Sequence, residues 1–124
     1  MIDFADFRPE NGPPIYVQIV KYVKRKIASG DVYDGEEIIS RRALSALLGI
    51  NPNTVQKAYA MLEAEGLIFS RTGATSFAVV TGYAVKSIKA EILEEDIGSV
   101  ISLLQQMHLS KEEAVNLIER MWRE

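Results

Sequence analysis

Cysteine is absent from this chain, and histidine occurs once, as His108. The first absence excludes disulfides, thiolate metal sites and a cysteine nucleophile, and it fits a reducing compartment. His108 follows Met107 at the end of a helical pattern, just before a Ser110 cap. There it reads as a helix-dipole partner or loop residue rather than a base or ligand. No glycine-rich phosphate loop follows a strand pattern, and no serine sits in a nucleophile motif. The acidic run Glu94-Glu95-Asp96 reads as a solvated helix face rather than a metal site. We therefore expect no enzyme activity, no catalytic residue, no cofactor and no metal.

Long apolar runs are missing as well, and none approaches a bilayer span. Met1 leads into Asp3, Phe4, Asp6 and Phe7, with neither a basic segment nor a long apolar one behind it. The expectation is a soluble, cytoplasmic chain without a signal peptide. There is no excess of positive charge either. The formal net charge is −3, and its distribution matters more than its sum. Residues 1–82 carry nine Lys/Arg and nine Asp/Glu, while 83–124 carry five and eight. The acidity therefore lies in the C-terminal part, and any nucleic-acid affinity of the neutral part should be modest without sequence recognition.

What the chain does have is 48% hydrophobic residues over 124 positions, enough for one domain plus an appendage. Its most informative stretch runs from Leu48 to Gly66. Gly49 suits the left-handed end of one helix, Asn51 is a good N-cap, and Pro52 falls at the first helical position. Gly66 closes this second helix. Val55, Ala58, Tyr59 and Leu62 share one apolar stripe, with Asn53, Lys57 and Ala60 opposite and Thr54 and Gln56 flanking the polar side. Such a helix is shaped to enter a DNA groove.

Residues 1–13 read as an extended arm, since Pro9, Gly12, Pro13 and Pro14 oppose regular structure. A helix follows from Ile15 to about Ser29, burying Ile15, Ile19, Tyr22, Val23 and Ile27. Lys21, Lys24, Arg25 and Lys26 cluster on the rest, as a solvated face or as phosphate contacts. Glu37-Ile38-Ile39 suits a short strand. Ser40 then caps a helix from Arg41 to Leu48, with Ala43, Leu44, Leu47 and Leu48 inward. Arg41 and Arg42 start this helix where it would meet phosphates. After Gly66 the period changes to two. The runs 67–71 and 76–80 form a hairpin around residues 72–75, with Ile68, Phe77 and Val79 toward the core. A hairpin behind a helix-turn-helix is a wing, and Arg71 with the small loop residues would approach phosphate or the minor groove.

From Tyr83 or Ala84 a long helix runs to Met107. Ile88 and Ile92 begin an apolar stripe that Leu93, Ile97, Val100, Leu104 and Met107 continue at heptad-like spacing. Gly98 inside it costs about 1 kcal/mol relative to alanine, which is easiest to explain by a close helix or a bend. Ser110-Lys111-Glu112-Glu113 is a capping box opening a last helix, with Ala114, Leu117, Ile118, Met121 and Trp122 on its apolar side. We read these two helices as a dimerisation arm. A two-fold dimer would offer two reading helices to half-sites roughly 34 Å apart.

The sequence resembles the GntR family of bacterial transcription regulators. The likeness runs through Pro14-Ile15-Tyr16-Val17-Gln18-Ile19, Ser40-Arg41-Arg42-Ala43-Leu44, Asn51-Pro52-Asn53-Thr54-Val55, Ala58-Tyr59, Leu62-Glu63, Glu65-Gly66-Leu67-Ile68 and the hairpin ending in Phe77. The short two-helix tail resembles the YtrA-like subfamily, whose members are small dimers that often control transporter operons. The resemblance implies DNA contact by residues matched at Arg42, Asn51, Asn53, Thr54 and Gly73, with Arg41, Pro52 and Gln56 also at the surface. Two departures stand out. Ile38-Ile39-Ser40 replaces the usual Leu-Pro-Ser, and Gly73-Ala74-Thr75-Ser76-Phe77 replaces Gly-Lys-Gly-Thr-Phe at the wing tip.

The expected architecture is thus mainly α with a small β-hairpin. An arm at 1–13, a winged helix-turn-helix domain at 14–82 and a helical dimerisation tail at 83–124 follow one another. Its expected activity is sequence-specific repression by a homodimer on a palindromic double-stranded DNA operator. The DNA-binding set is Ser40, Arg41, Arg42, Asn51, Pro52, Asn53, Thr54, Gln56, Lys57, Arg71, Gly73 and Thr75. The dimerisation set is Ile88, Ile92, Leu93, Ile97, Val100, Leu104, Met107, Leu117, Met121 and Trp122. A small-molecule effector would have to bind between the tail and the winged domain or across the dimer. The alternative is a winged-helix module that assembles proteins and binds DNA weakly or not at all.

Overall fold

Apolar residues at helical spacing build α1 (Ile15–Ala28), which buries Ile19, Val20, Val23 and Ile27. A computed structural model describes residues 1–71 and 75–123. Beyond α1 it contains β1 (Glu37–Ile38), α2 (Arg41–Leu48), α3 (Pro52–Ala64), β2 (Ile68–Ser70), β3 (Ser76–Ala78), α4 (Gly82–Gln106) and α5 (Lys111–Met121). The chain is therefore mainly helical, and its small antiparallel sheet has the order β1-β3-β2. It divides into two compact units, Met1–Lys89 and Ala90–Glu124. Among the described residues no helix is long and apolar enough to cross a membrane.

In the first unit α3 is the central element. Val55, Ala58, Tyr59 and Leu62 are fully buried on its inner face, and α1, α2 and β2 all pack against it. Each large apolar side chain so withdrawn from water contributes about 1.5–3 kcal/mol. Helix α2 touches this core along a narrower line than its sequence suggests. Leu44 is fully buried and Leu48 half-buried, but Ala43 is exposed and Leu47 is 58% exposed. The remaining inward position belongs to Ser45, which is tolerated because its hydroxyl donates to the Ile50 carbonyl at 2.7 Å.

The sheet corrects the hairpin in two ways. First, β1 joins it as a third strand, pairing Ile38 with Ser76 and Glu37 with Phe77. Second, β3 presents Ser76 and Ala78 to the core, both fully buried, so Phe77 lies on the opposite face and Val79 is only half-buried. Strand side chains alternate, so a shift of one position reverses the whole set. Ile68 remains inward as expected, opposite Ala78.

The segment read as an extended arm is built into the first unit. Ile2, Phe4 and Phe7 are buried. The Phe4 ring stacks on Tyr22 at 4.6 Å, and Phe7 meets Tyr22 edge-on at 5.4 Å. Ile2 bridges in parallel to Ile38, donating to Glu37 O at 2.9 Å and accepting from Ile39 N at 2.9 Å. Residues 10–13 are fastened by the Gln18 amide. It accepts from Glu10 N at 2.9 Å and donates to the carbonyls of Glu10 at 2.9 Å and Pro13 at 2.8 Å.

In the second unit, α5 starts with the reciprocal cap its sequence suggests. Ser110 Oγ accepts from Glu113 N at 3.2 Å, and Glu113 Oε1 accepts from Ser110 N at 3.0 Å. The preceding helix ends with His108 in the left-handed region (φ 60°), while Leu109 N donates to Leu104 O at 3.2 Å. Leu93, Ile97, Val100, Met107, Met121 and Trp122 are exposed, and Leu104 and Leu117 are half-buried. Ile88 and Ile92, at the head of the same stripe, are already buried within the single chain and are not available to a partner. Periodicity finds an apolar stripe but not what covers it.

Candidate nucleic-acid interface

The turn between α2 and α3 sets the geometry. Gly49 takes a left-handed conformation (φ 64°) that a side chain would strain, and its N–H donates to Ser45 O. Ile50 N donates to the same carbonyl at 3.2 Å, while the Ser45 hydroxyl closes the turn from its other side. Asn51 then caps α3, its Oδ1 accepting from Asn53 N at 2.8 Å, and Pro52 occupies the first turn. With one face of α3 fully buried, the other is turned outward. Asn51, Pro52, Asn53, Gln56 and Lys57 are exposed there, and Thr54 is half-buried.

The basic residues divide into those used internally and those left facing solvent. Arg41 is of the first kind, contrary to its expected place on phosphate. Its guanidinium pairs with the Glu63 carboxylate and donates to Ser76 Oγ at 3.2 Å, and its side chain is only 21% exposed. It also lies 5.0 Å over the Tyr59 ring. Tyr59 in turn donates to Ile39 O at 2.6 Å, and burial pushes its pKa above the ordinary 10, against the opposing effect of Arg41. Lys24 is likewise buried and pairs with Glu65 at 2.9 Å, and Lys26 pairs with Asp6 at 3.6 Å. The carboxylates at the C-terminal end of α3 are thereby neutralised from inside.

Arg42, one position along, is exposed and forms no ion pair with the described residues. Ser40, beside it, caps α2 by accepting from Ala43 N at 3.1 Å. Lys57 points along the outer side of α3, its ammonium 4.0 Å from the centre of the Tyr16 ring. Arg71 is exposed at the end of β2, and its N–H donates to the carbonyl of half-buried Thr75 at 3.0 Å. Gly73 lies outside the described residues. Sequence reasoning missed Ser45, Tyr16 and Glu63. Only Ser45 left a signal, a polar residue at an inward helical position.

A helix-turn-helix, a three-stranded wing and an outward polar helix face coincide with a family profile. The profile described as bacterial regulatory proteins, gntR family, matches residues 15–77. The chain belongs to the GntR family. Among its GntR relatives is the HTH-type transcriptional repressor YtrA of Bacillus subtilis, 31% identical over 80% of this chain and 72% of that protein. A GntR family transcriptional regulator from Listeria monocytogenes has the same fold, with a TM-score of 0.76. It is 26% identical and covers 92% of this chain and 100% of its own. The AraR DNA-binding domain, solved in complex with operator ORE1, is 25% identical and covers 59% of this chain and 94% of its own, with a TM-score of 0.50. The chain is thus a DNA-binding transcriptional regulator of the GntR family, with the short tail of the YtrA-like group.

Proposed function

We propose that this regulator is a homodimeric repressor acting in the cytoplasm on a two-fold operator, with the N-terminal half of α3 set into the major groove. The observation that carries this reading is the exposure of Asn51, Asn53, Gln56 and Lys57 on one side of α3 whose other side is wholly buried. Gln56 and Lys57 would meet base edges, and Asn51, Pro52, Asn53 and Thr54 would line the approach. Arg42 and Arg71 would hold phosphates, with Ser40 and Thr75 beside them. The exposed apolar residues Leu93, Ile97, Val100, Met107, Met121 and Trp122 support dimerisation through the tail, to which Leu104 and Leu117 would add. The likeness to the repressor YtrA supports repression.

The test is selection of bound duplexes from a random pool by the intact chain, followed by footprinting and a salt titration. A two-fold site with half-site centres about 34 Å apart supports the reading. Arg42, Lys57 and Arg71 give about six phosphate-directed cations per dimer, so the log–log salt slope should be on the order of −5. An asymmetric single site would remove the dimer. No retarded band even at low salt would favour a protein-assembling module instead.

A further inference from the structure

The wing carries one feature that its packing does not require. Phe69 and Phe77 sit directly opposite each other on β2 and β3, on the face turned away from the core. Their rings stack at 5.3 Å with an interplanar angle of 27°. Phe69 stays 40% exposed although the core lies one residue away on either side of the pleat. Over this pair lies the guanidinium of Arg71, 5.1 Å from the Phe77 ring centre and 5.9 Å from that of Phe69. Between Leu67 and Val80, Arg71 is also the only charged residue of either sign.

We propose that Phe69 and Phe77 form an aromatic platform that positions Arg71 for the DNA backbone, making Phe69 a positioning residue for the wing's one cation. The inference rests on the reading of Arg71 as a phosphate contact given above. The physical reason is preorganisation. A free arginine side chain samples many rotamers, and fixing it during binding costs entropy. A guanidinium is planar and stacks on aromatic faces while its N–H groups stay directed outward, so the platform limits rotamers without occupying donors. An aliphatic residue at 69 would fill the same strand position but offer no ring face to the cation. The register supports this assignment. It puts both rings on the outer face in a directly opposed pair, which is the arrangement that gives Arg71 two faces at once.

A double-mutant cycle on the full chain tests this, with a duplex selected from a random pool by the unaltered chain as probe. Arg71→Ala should weaken binding and lower the salt slope by about one. Phe69→Leu should weaken binding roughly two- to five-fold, the scale of an exposed cation–π contact. Phe69→Tyr, which keeps the ring, should bind like the original chain. Phe69→Leu added to Arg71→Ala should cost nothing further. Full additivity of the two changes, or Phe69→Leu binding as the original chain does, overturns the platform while leaving Arg71 as a contact. A silent Arg71→Ala overturns the contact itself, and the platform with it. Thermal unfolding of each variant shows that the fold persists, and the Tyr variant separates loss of the ring from loss of the strand.

Discussion

The guanidinium of Arg41, at the start of α2, is paired with the carboxylate of Glu63 near the end of α3. Arg41 also reaches Ser76 on β3, so a single side chain links both helices of the reading motif to the wing. Its neighbour Arg42 makes no such link and faces solvent. The two arginines should therefore fail in opposite ways. Arg41→Ala is expected to lower unfolding stability by about 1–2 kcal/mol, because it removes charge-assisted hydrogen bonds that are partly withdrawn from water. Its effect on the salt slope of DNA binding should be small. Arg42→Ala should leave stability within about 0.5 kcal/mol and reduce that slope by about one. Thermal unfolding and a salt titration of both variants check the pair.

Tyr59 links stability to alkaline pH. Burial holds its pKa above the ordinary 10 in the folded chain, so the unfolded chain releases this proton first. Stability is fully present below that ordinary value and falls as pH rises beyond it. Tyr59→Phe should flatten this alkaline limb. It should also cost about 1–2 kcal/mol at neutral pH, since the Ile39 carbonyl loses its donor. Denaturant unfolding across pH 8–11 measures both effects.

His108 leaves α4 in a left-handed conformation that a glycine adopts without steric cost. His108→Gly is accordingly expected to stabilise the chain by about 0.5–1 kcal/mol. A lower melting temperature for the variant would mean that the imidazole contributes more than its backbone strain removes.

Gly98 sits inside α4 with open space where a Cβ would be. Within one chain, Gly98→Ala should stabilise the helix by about 1 kcal/mol. Unfolding at several protein concentrations decides whether the glycine serves a partner. A stability loss that deepens on dilution would place a second helix against this position.

The helices and their caps were legible in the sequence because Ser40, Asn51, Gly49 and the Ser110–Glu113 box act over three or four residues. The reading helix was legible for the same reason, since one turn of spacing separates Val55 from Tyr59. Relations between distant elements were not. Arg41 and Glu63 are far apart in sequence, and no local rule tells a paired arginine from a phosphate contact. The face of β3 was misjudged because Ser76 is polar yet buried, its hydroxyl meeting Ser70 Oγ at 2.9 Å. The fate of Phe4 and Phe7 depended on Tyr22, a partner that periodicity cannot supply.

The parallel bridge from Ile2 to Ile38 has a practical consequence. It covers the outer edge of β1, whose N–H and C=O groups would otherwise be an open template for another strand. Removing residues 1–7 would therefore do more than shorten the chain. It would create an adhesive edge, and the trimmed protein would self-associate through its sheet. A sizing experiment on such a truncation would report a spurious oligomer unrelated to the tail. Measurements of dimerisation belong on chains that keep Ile2, with tags placed elsewhere.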